Sequence, residues 1–179
     1  MRHPGQRPAL TLVPGALDDA GPWAWFCGHC ATPAGDQPPP PSARVCRSCN
    51  LGLLLETRAD VLPTRQDAFL VVDGSLLVHG LSRRAERVLG MSEDMAVNRP
   101  LSELLVTADA EAGSRGALAA AIVEAVGGSD ATARSVVRPW NTFGVRMRAR
   151  IAPCGPPRAA LIVLEDSPGP ALRAVESPA

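Results

Sequence analysis

The sequence contains no lysine and no tyrosine, and only 3% of its 179 residues are aromatic. All 18 basic residues are therefore arginines, and 18 acidic residues balance them to a formal net charge of zero. A neutral chain produces no overall field that attracts nucleic acid or an anionic membrane. The charge balance therefore argues against functions that depend on a strongly basic chain.

Long apolar runs are also missing from the sequence. No segment reaches the roughly 18 apolar residues that are needed to cross a bilayer. The N-terminus has no hydrophobic stretch of a secretory signal, because Pro4, Pro8, Pro14 and Gly15 interrupt every apolar run. We therefore predict a cytoplasmic protein with no membrane association. Thiols stay reduced in the cytosol, so paired cysteines are better explained as metal ligands than as disulfides.

The composition changes along the chain in a way that indicates five regions. The hydrophobic fraction of 46% is sufficient for a core built from roughly 100 residues. We predict a flexible N-terminus at 1–21, a cysteine-rich module at 22–58, a linker at 59–66, a compact domain at 67–165 and a disordered tail at 166–179.

Four of the five cysteines form two pairs in the small module, Cys27-x2-Cys30 and Cys46-x2-Cys49. Each C-x2-C turn directs two thiolates at one metal, and two such turns give the tetrahedral sulfur set that Zn²⁺ prefers. All four positions are then filled, so the spacing predicts a structural zinc ribbon and not a hydrolytic centre. His29 is either a replacement ligand or a solvent-facing residue. A redox pair would need a thioredoxin-like βαβ context, which is absent.

The larger domain begins with strand and helix signals in a clear order. An apolar run at 68–72 is joined by an Asp-Gly turn signal to a second strand at 76–79, which predicts a hairpin. Ser82 is suited to cap a short helix that ends at Gly90.

Further helices and strands follow in the second half of this domain. Short helices are predicted after Ser92 and at Pro100, and the longest helix spans 109–126. Three strands are predicted to follow, at 133–140, 144–151 and 159–164. The middle strand alternates between apolar residues and arginines. The arginines that share one face are Arg146, Arg148 and Arg150.

The order of two strands, three short helices, one long helix and three strands resembles that of a PAS domain. Residues 69–74, 82–90 and 98–105 resemble the opening hairpin, the N-x-A-x-x-x-x-G helix and the G-x-x-L-x-x-L segment of that family. Ser82 stands where Asn is usual, and Asn98 where Gly is usual. The resemblance covers 67–165 and implies an α+β fold. In such a fold a five-stranded antiparallel sheet carries helices on one face and encloses a small pocket against them.

The resemblance also implies what the pocket can hold. PAS domains with haem need an axial histidine on the long helix, and 109–126 contains none. Those with a covalently bound flavin or coumarate need a cysteine, and there is none between Asn50 and Pro153. We therefore expect no haem and no flavin. His79 is a candidate pocket ligand, with a hydrogen-bonded strand histidine as the alternative.

The outer face of the predicted sheet needs a cover. The strands at 68–72 and 159–164 are apolar on both faces, and only one face can meet the helices of the domain. We therefore expect a homodimer or a partner protein on the outer face, with Arg146, Arg148 and Arg150 as candidate partner-binding residues. Two alternatives stay open: the N-terminal module folds back over this face, or the arginines form a solvated surface.

The sequence contains no nucleophile–base pair, paired-carboxylate motif or nucleotide-binding motif that would indicate an enzyme. We predict a small, non-enzymatic bacterial signalling protein, in which a structural zinc ribbon precedes a PAS-like sensory or protein-interaction domain. The alternative is a transcription- or RNA-associated regulator whose ribbon contacts nucleic acid.

Overall fold

One nine-stranded sheet runs through the computed structural model of the chain. The structure describes residues 22–35, 37–108, 115–142 and 144–166. The predicted flexible N-terminus lies outside the described residues, and so does the predicted tail apart from its first residue. No helix within the described ranges is long and apolar enough to span a membrane.

The N-terminal module contributes three strands to this sheet: β1 at Trp23–Cys27, β2 at Pro33–Gly35 and β3 at Leu54–Arg58. β1 lies between the other two and pairs antiparallel with both. Cys27 ends β1 opposite Leu54, which begins β3. The cysteine pair that follows β1 is therefore brought beside the pair that precedes β3.

The larger domain contributes the other six strands. They are β4 at Ala68–Val72, β5 at Val78–Leu81, β6 at Leu105–Thr107, β7 at Ala133–Pro139, β8 at Met147–Gly155 and β9 at Ala159–Asp166. β9 is central, because it pairs with β4 on one side and β8 on the other, while β5 pairs with β4 and β7 with β8. Every pairing is antiparallel, which confirms the predicted class of sheet.

The helices lie between β5 and β7 in the chain. They are α1 at Arg83–Leu89, α2 at Glu93–Ala96 and α3 at Arg115–Val126, with a 3₁₀ turn at Leu101–Glu103 before β6. Both predicted ends of α1 are present: the Ser82 hydroxyl accepts a hydrogen bond from the Ala85 amide at 3.1 Å, and Gly90 has a φ of +64°. The first part of the long helix predicted at 109–126 falls outside the described residues.

The inner face of the sheet packs against these helices. Leu70 and Val72 on β4 and Ile162 on β9 are buried against Leu118 and Ile122 on α3. Alternate residues of β4 and β9 face the other way, as the two-residue period of a strand requires. Both faces of these central strands are therefore apolar, as predicted.

The outer face is covered by the N-terminal module. Phe26 and Leu55 of the module pack on Phe69, Val71 and Leu161 of the domain, and all five side chains are buried. We call this second cluster the outer core; its other members are Ala31, Cys154, Ala159 and Val163. This arrangement is the one that the fold-back alternative predicts.

Backbone pairing also joins the module to the domain. β3 pairs with the last part of β8, with Glu56 opposite Gly155 and Thr57 opposite Cys154. The Thr57 hydroxyl, fully buried, donates a hydrogen bond to the Pro153 carbonyl at 2.9 Å. β7 occupies the same edge of β8 only as far as Ile151. The three strands of the module thus extend the sheet of the larger domain.

Three elements differ from the sequence prediction. β5 begins at Val78, because the Asp73 carboxylate accepts backbone hydrogen bonds from Ser75 and Leu77 and so extends the turn. β6 was not predicted, since only its pairing with β7 identifies it. β8 begins at Met147 and includes a segment that was expected to be a turn. Val145, which falls within the strand predicted at 144–151, lies outside β8 and is exposed.

Candidate metal centre and arginine surface

The four paired cysteines converge at one end of the N-terminal module. Their sulfur atoms all lie within 4.8 Å of one another. Cys27 Sγ is 3.7 Å from Cys49 Sγ, and Cys30 Sγ is 3.8 Å from Cys46 Sγ. Four sulfurs at about 2.3 Å from a central ion at the corners of a tetrahedron would be about 3.8 Å apart. The cluster is therefore compatible with zinc binding.

The two C-x2-C turns share one backbone geometry. The residue after each second cysteine has a left-handed φ, +55° at Ala31 and +53° at Asn50. In each turn this residue's amide donates a hydrogen bond to the carbonyl of the first cysteine, at 3.0 and 2.8 Å. Backbone amides also point at the sulfurs, as in the 3.4 Å contacts from His29 N and Cys30 N to Cys27 Sγ. Such N–H···S contacts favour thiolates.

Gly52 allows the two turns to approach each other. A Cβ atom at this position would lie 2.5 Å from Cys27 Sγ and 2.7 Å from His29 Cβ. The Gly52 amide donates to Cys49 Sγ at 3.5 Å, and its carbonyl accepts from the Cys46 amide at 2.8 Å. Any larger residue would push the first turn away from the second.

The pKa values of the cysteines reflect their surroundings. Burial raises the pKa of Cys27 well above its ordinary value. Burial acts in the same direction on Cys30, but hydrogen bonds from the Thr32 hydroxyl and amide lower its pKa to about 6. Four sulfurs this close cannot all be ionised near neutral pH unless a cation lies among them. The fifth cysteine, Cys154, lies apart in the outer core, where burial raises its pKa to about 12.

The sequence suggested that His29 is a replacement ligand or faces solvent. In the structure its side chain is buried and faces the larger domain instead. Its Nδ1 lies 2.9 Å from Glu93 Oε2, without the geometry of a linear hydrogen bond. Its Nε2 accepts a hydrogen bond from Arg83 Nε at 3.3 Å. Glu93 also accepts from the Leu81 amide at 3.0 Å. One residue of the first C-x2-C turn is thus tied to α1, α2 and β5.

An arginine from the linker also reaches the cluster. Arg65 donates a hydrogen bond to Thr32 Oγ1 at 3.0 Å, and this oxygen lies 3.1 Å from Cys30 Sγ. A tetrathiolate site with Zn²⁺ has a formal charge of −2. Arg65 and Arg83 are nearby cations that would offset part of this charge, and Arg84 and Arg87 line the same cleft as Cys30 and Cys49.

The part of the outer sheet face that the module leaves open carries arginines. Arg134 on β7 lies directly opposite Arg150 on β8, and Val136 lies opposite Arg148. We call this region the arginine surface, defined by Arg134, Arg148 and Arg150 with Arg138 and Arg146 at its edge. The sequence prediction missed Arg134 and Arg138, although Arg134, Val136 and Arg138 alternate along β7 as outward-facing residues do.

The arginines of this surface differ in their contacts. Arg150 Nε lies 2.6 Å from Glu165 Oε1, and Arg150 Nη1 donates to the Asp60 carbonyl at 3.2 Å. Arg138 and Arg146 also interact with other groups, so neither is without a partner. Arg134 and Arg148 are exposed and form no hydrogen bond or ion pair with another described residue.

His79, the candidate pocket ligand, lies on the exposed side of β5. Its Nε2 is 2.9 Å from Asp73 Oδ2 in the preceding turn. Two cavities, of about 600 and 560 Å³, are both lined by Trp140. His79 lines neither of them, because its side chain is exposed and directed to Asp73.

No family model matches the sequence, and no curated protein is similar to it. Solved structures with a similar fold include PAS domains. The PAS domain of a protein from Colwellia psychrerythraea is 17% identical, with a TM-score of 0.44 over 56% of this chain and 86% of that chain. The PAS domain of nitrogen regulation protein NR(II) from Vibrio parahaemolyticus is 17% identical, with a TM-score of 0.43 over 60% of this chain and 95% of that chain. The PAS domain of the quorum-sensing receptor RpfR from Cronobacter turicensis, solved in complex with C12:0, is 13% identical. Its TM-score is 0.42 over 59% of this chain and 98% of that chain.

Proposed function

We propose that the chain is a non-enzymatic regulatory protein, in which a PAS-like partner-binding or sensory domain is closed on its outer face by a structural zinc ribbon. The observation that carries this proposal is the outer core, to which the module and the domain both contribute buried side chains. The ribbon is therefore a structural part of the domain and not a separately tethered finger.

Zinc has a specific task in this proposal. The module spans 22–58 and has few buried apolar residues of its own, so it is too small to fold on hydrophobic burial alone. Metal binding by Cys27, Cys30, Cys46 and Cys49 would supply the missing free energy. Four thiolates leave no open position for substrate, which supports a structural and not a catalytic ion. The folded ribbon then places Phe26 and Leu55 on the sheet.

Nucleic acid binding by the ribbon is less well supported. Trp25 and Phe26 are buried, so neither ring is available to stack on a base. Trp23 is partly buried on the same strand. Binding to single-stranded RNA or DNA that weakens steeply with salt would favour this alternative.

Metal analysis of the reduced full-length protein tests the proposal. We expect one zinc ion per chain and no metal in Cys46→Ser. Cys154→Ser is the matched control, because Cys154 is buried but lies outside the sulfur cluster; this variant should keep its zinc. A reduced, freshly purified protein without zinc, or loss of zinc in Cys154→Ser alone, would contradict the proposal.

A further inference from the structure

The arginine surface concentrates positive charge without sufficient negative charge to balance it. Arg134 and Arg150 are directly opposite on neighbouring antiparallel strands, and like charges in this position are unfavourable. Glu165 compensates Arg150. Glu165 also lies directly opposite Arg148 across β8 and β9, so a single carboxylate serves two arginines. Arg134 and Arg148 are exposed and form no ion pair with a described residue. The surface therefore carries an excess of positive charge that an anion from outside the described chain can pair with.

The surface is not suited to pairing with a second copy. A two-fold symmetric interface places the same patch on both subunits. With the two-fold axis at the centre of this surface, the positively charged patch of one chain would face that of the other, which is repulsive. The apolar half of the outer face is already covered by Phe26 and Leu55. A different molecule with negative charge therefore fits this surface better than a second copy does.

The details of the surface favour carboxylates over phosphates. Arg150 Nε lies 2.6 Å from the Glu165 carboxylate, a close charge contact without hydrogen-bond geometry. The exposed guanidinium groups beside it have donors in the fork arrangement that matches a carboxylate. Val136 lies between Arg134 and Arg148 and offers apolar contact that a sugar–phosphate backbone cannot use. The neutral net charge also produces no overall field that would attract a polyanion such as nucleic acid.

We propose that the arginine surface binds an acidic polypeptide segment of a partner protein. Arg134 and Arg148 are diagonal neighbours across two strands, a separation of about 7–8 Å between Cα atoms. Acidic residues four apart on a helix lie about 5–6 Å from each other, and alternate residues of a strand about 6.6 Å. Either spacing lets two carboxylates engage both arginines. This inference rests on the proposed function, because it names the partner's chemistry for the same domain.

The test uses the zinc-loaded full chain and a fluorescent 20-residue peptide of alternating Glu and Ala, with a Gln/Ala peptide as the neutral probe and a single-stranded oligonucleotide as the phosphate probe. We expect the Glu peptide to bind, the Gln peptide not to bind, and the double variant Arg134→Glu/Arg148→Glu to weaken binding by about tenfold or more. The matched control is Arg99→Glu/Arg158→Glu, which makes the same change in net charge. Arg99 is in an exposed pair with Glu103 and Arg158 is exposed in the turn between β8 and β9, so this variant should leave affinity within about twofold.

Each other outcome overturns the inference. These outcomes are no binding of the Glu peptide up to about 1 mM, equal weakening by the control variant, or oligonucleotide binding that is tighter than peptide binding and depends on Arg134 and Arg148. Circular dichroism and zinc content of each variant establish that the fold is intact. A chain that binds the peptide through these arginines but contains no zinc would support the inference while contradicting the proposed ribbon.

Discussion

The rings of Phe26 and Phe69 meet edge to face, with centroids 5.9 Å apart and planes at 75°. Phe26 lies on β1 of the cysteine-rich module and Phe69 on β4 of the larger domain. Both rings are fully buried. Edge-to-face pairs add about 0.5–1.5 kcal/mol beyond the burial of their area. This contact therefore couples the stability of the module to that of the sheet.

Phe26→Ala tests this coupling. Removal of a fully buried Phe side chain should lower the free energy of unfolding by about 3–5 kcal/mol. Urea denaturation followed by circular dichroism measures the change. Trp140→Ala, at a side chain that is 60% exposed, is the control and should cost about 1 kcal/mol or less. Equal effects of the two substitutions would show that the outer core does not form.

Gly52→Ala should disturb the metal centre without removing a ligand. The new Cβ would lie 2.5 Å from Cys27 Sγ, well inside contact distance. We expect zinc affinity, measured by competition with a chromogenic chelator, to fall by about tenfold or more, which corresponds to about 1.4 kcal/mol. Gly116→Ala is the control, because a Cβ there contacts nothing within 4 Å, and zinc affinity should stay unchanged.

A double-mutant cycle of His29→Ala and Glu93→Gln tests the link between the first C-x2-C turn and α2. The pair is largely buried, so we expect an interaction energy of about 1 kcal/mol or more in urea denaturation. His29→Ala should keep its full zinc content, since the imidazole faces away from the sulfurs. Loss of zinc in this variant would show that His29 is a ligand.

The sequence predicted those strands and helices whose formation depends on residues within or next to the element itself. The strand at Ala68–Val72 and the helix from Ser82 to Gly90 follow from an apolar run, a capping hydroxyl and a left-handed glycine. The approach of the two cysteine pairs followed from their spacing alone, because metal ligands are a short-range requirement.

Long-range relations could not be predicted in the same way. The pairing of Thr57 with Cys154 joins residues almost one hundred positions apart, and nothing in either segment identifies the other. The same holds for β6, because its short apolar sequence is equally compatible with the end of a helix. His29 was misplaced because its partner, Glu93, belongs to another element. The apolar outer face correctly indicated a need for cover, but its composition could not identify the cover.

The turn before β5 should contribute a pH-dependent part of the stability. Burial alone would raise the pKa of Asp73, but hydrogen bonds from His79 and from the Leu77 and Ser75 amides hold it below its ordinary value. A lowered pKa means that this stabilisation is present above the unfolded-state pKa of about 3.9 and is lost as pH falls through the lower folded value. Asp73→Asn should therefore lose less stability than the unmodified chain between about pH 4 and pH 2. Thiolates also protonate on acidification, so only the difference between the two proteins reports on Asp73.

Removal of the metal should uncover the outer face of the sheet and cause the chain to self-associate. If the ribbon unfolds without zinc, Phe26 and Leu55 leave the sheet and expose Phe69, Val71 and the apolar outer residues of β9, and such a patch favours association. Light scattering at about 20 µM, where weak interfaces still hold, should give a monomer for the zinc-loaded chain and a larger species after chelation. The double variant Val71→Thr/Val163→Thr is the control: it makes the uncovered face more polar at nearly constant volume, so its metal-free form should associate less. A zinc-loaded chain that is already dimeric would favour pairing through another surface, and a metal-free chain that stays monomeric would show that the ribbon does not need zinc to cover the sheet.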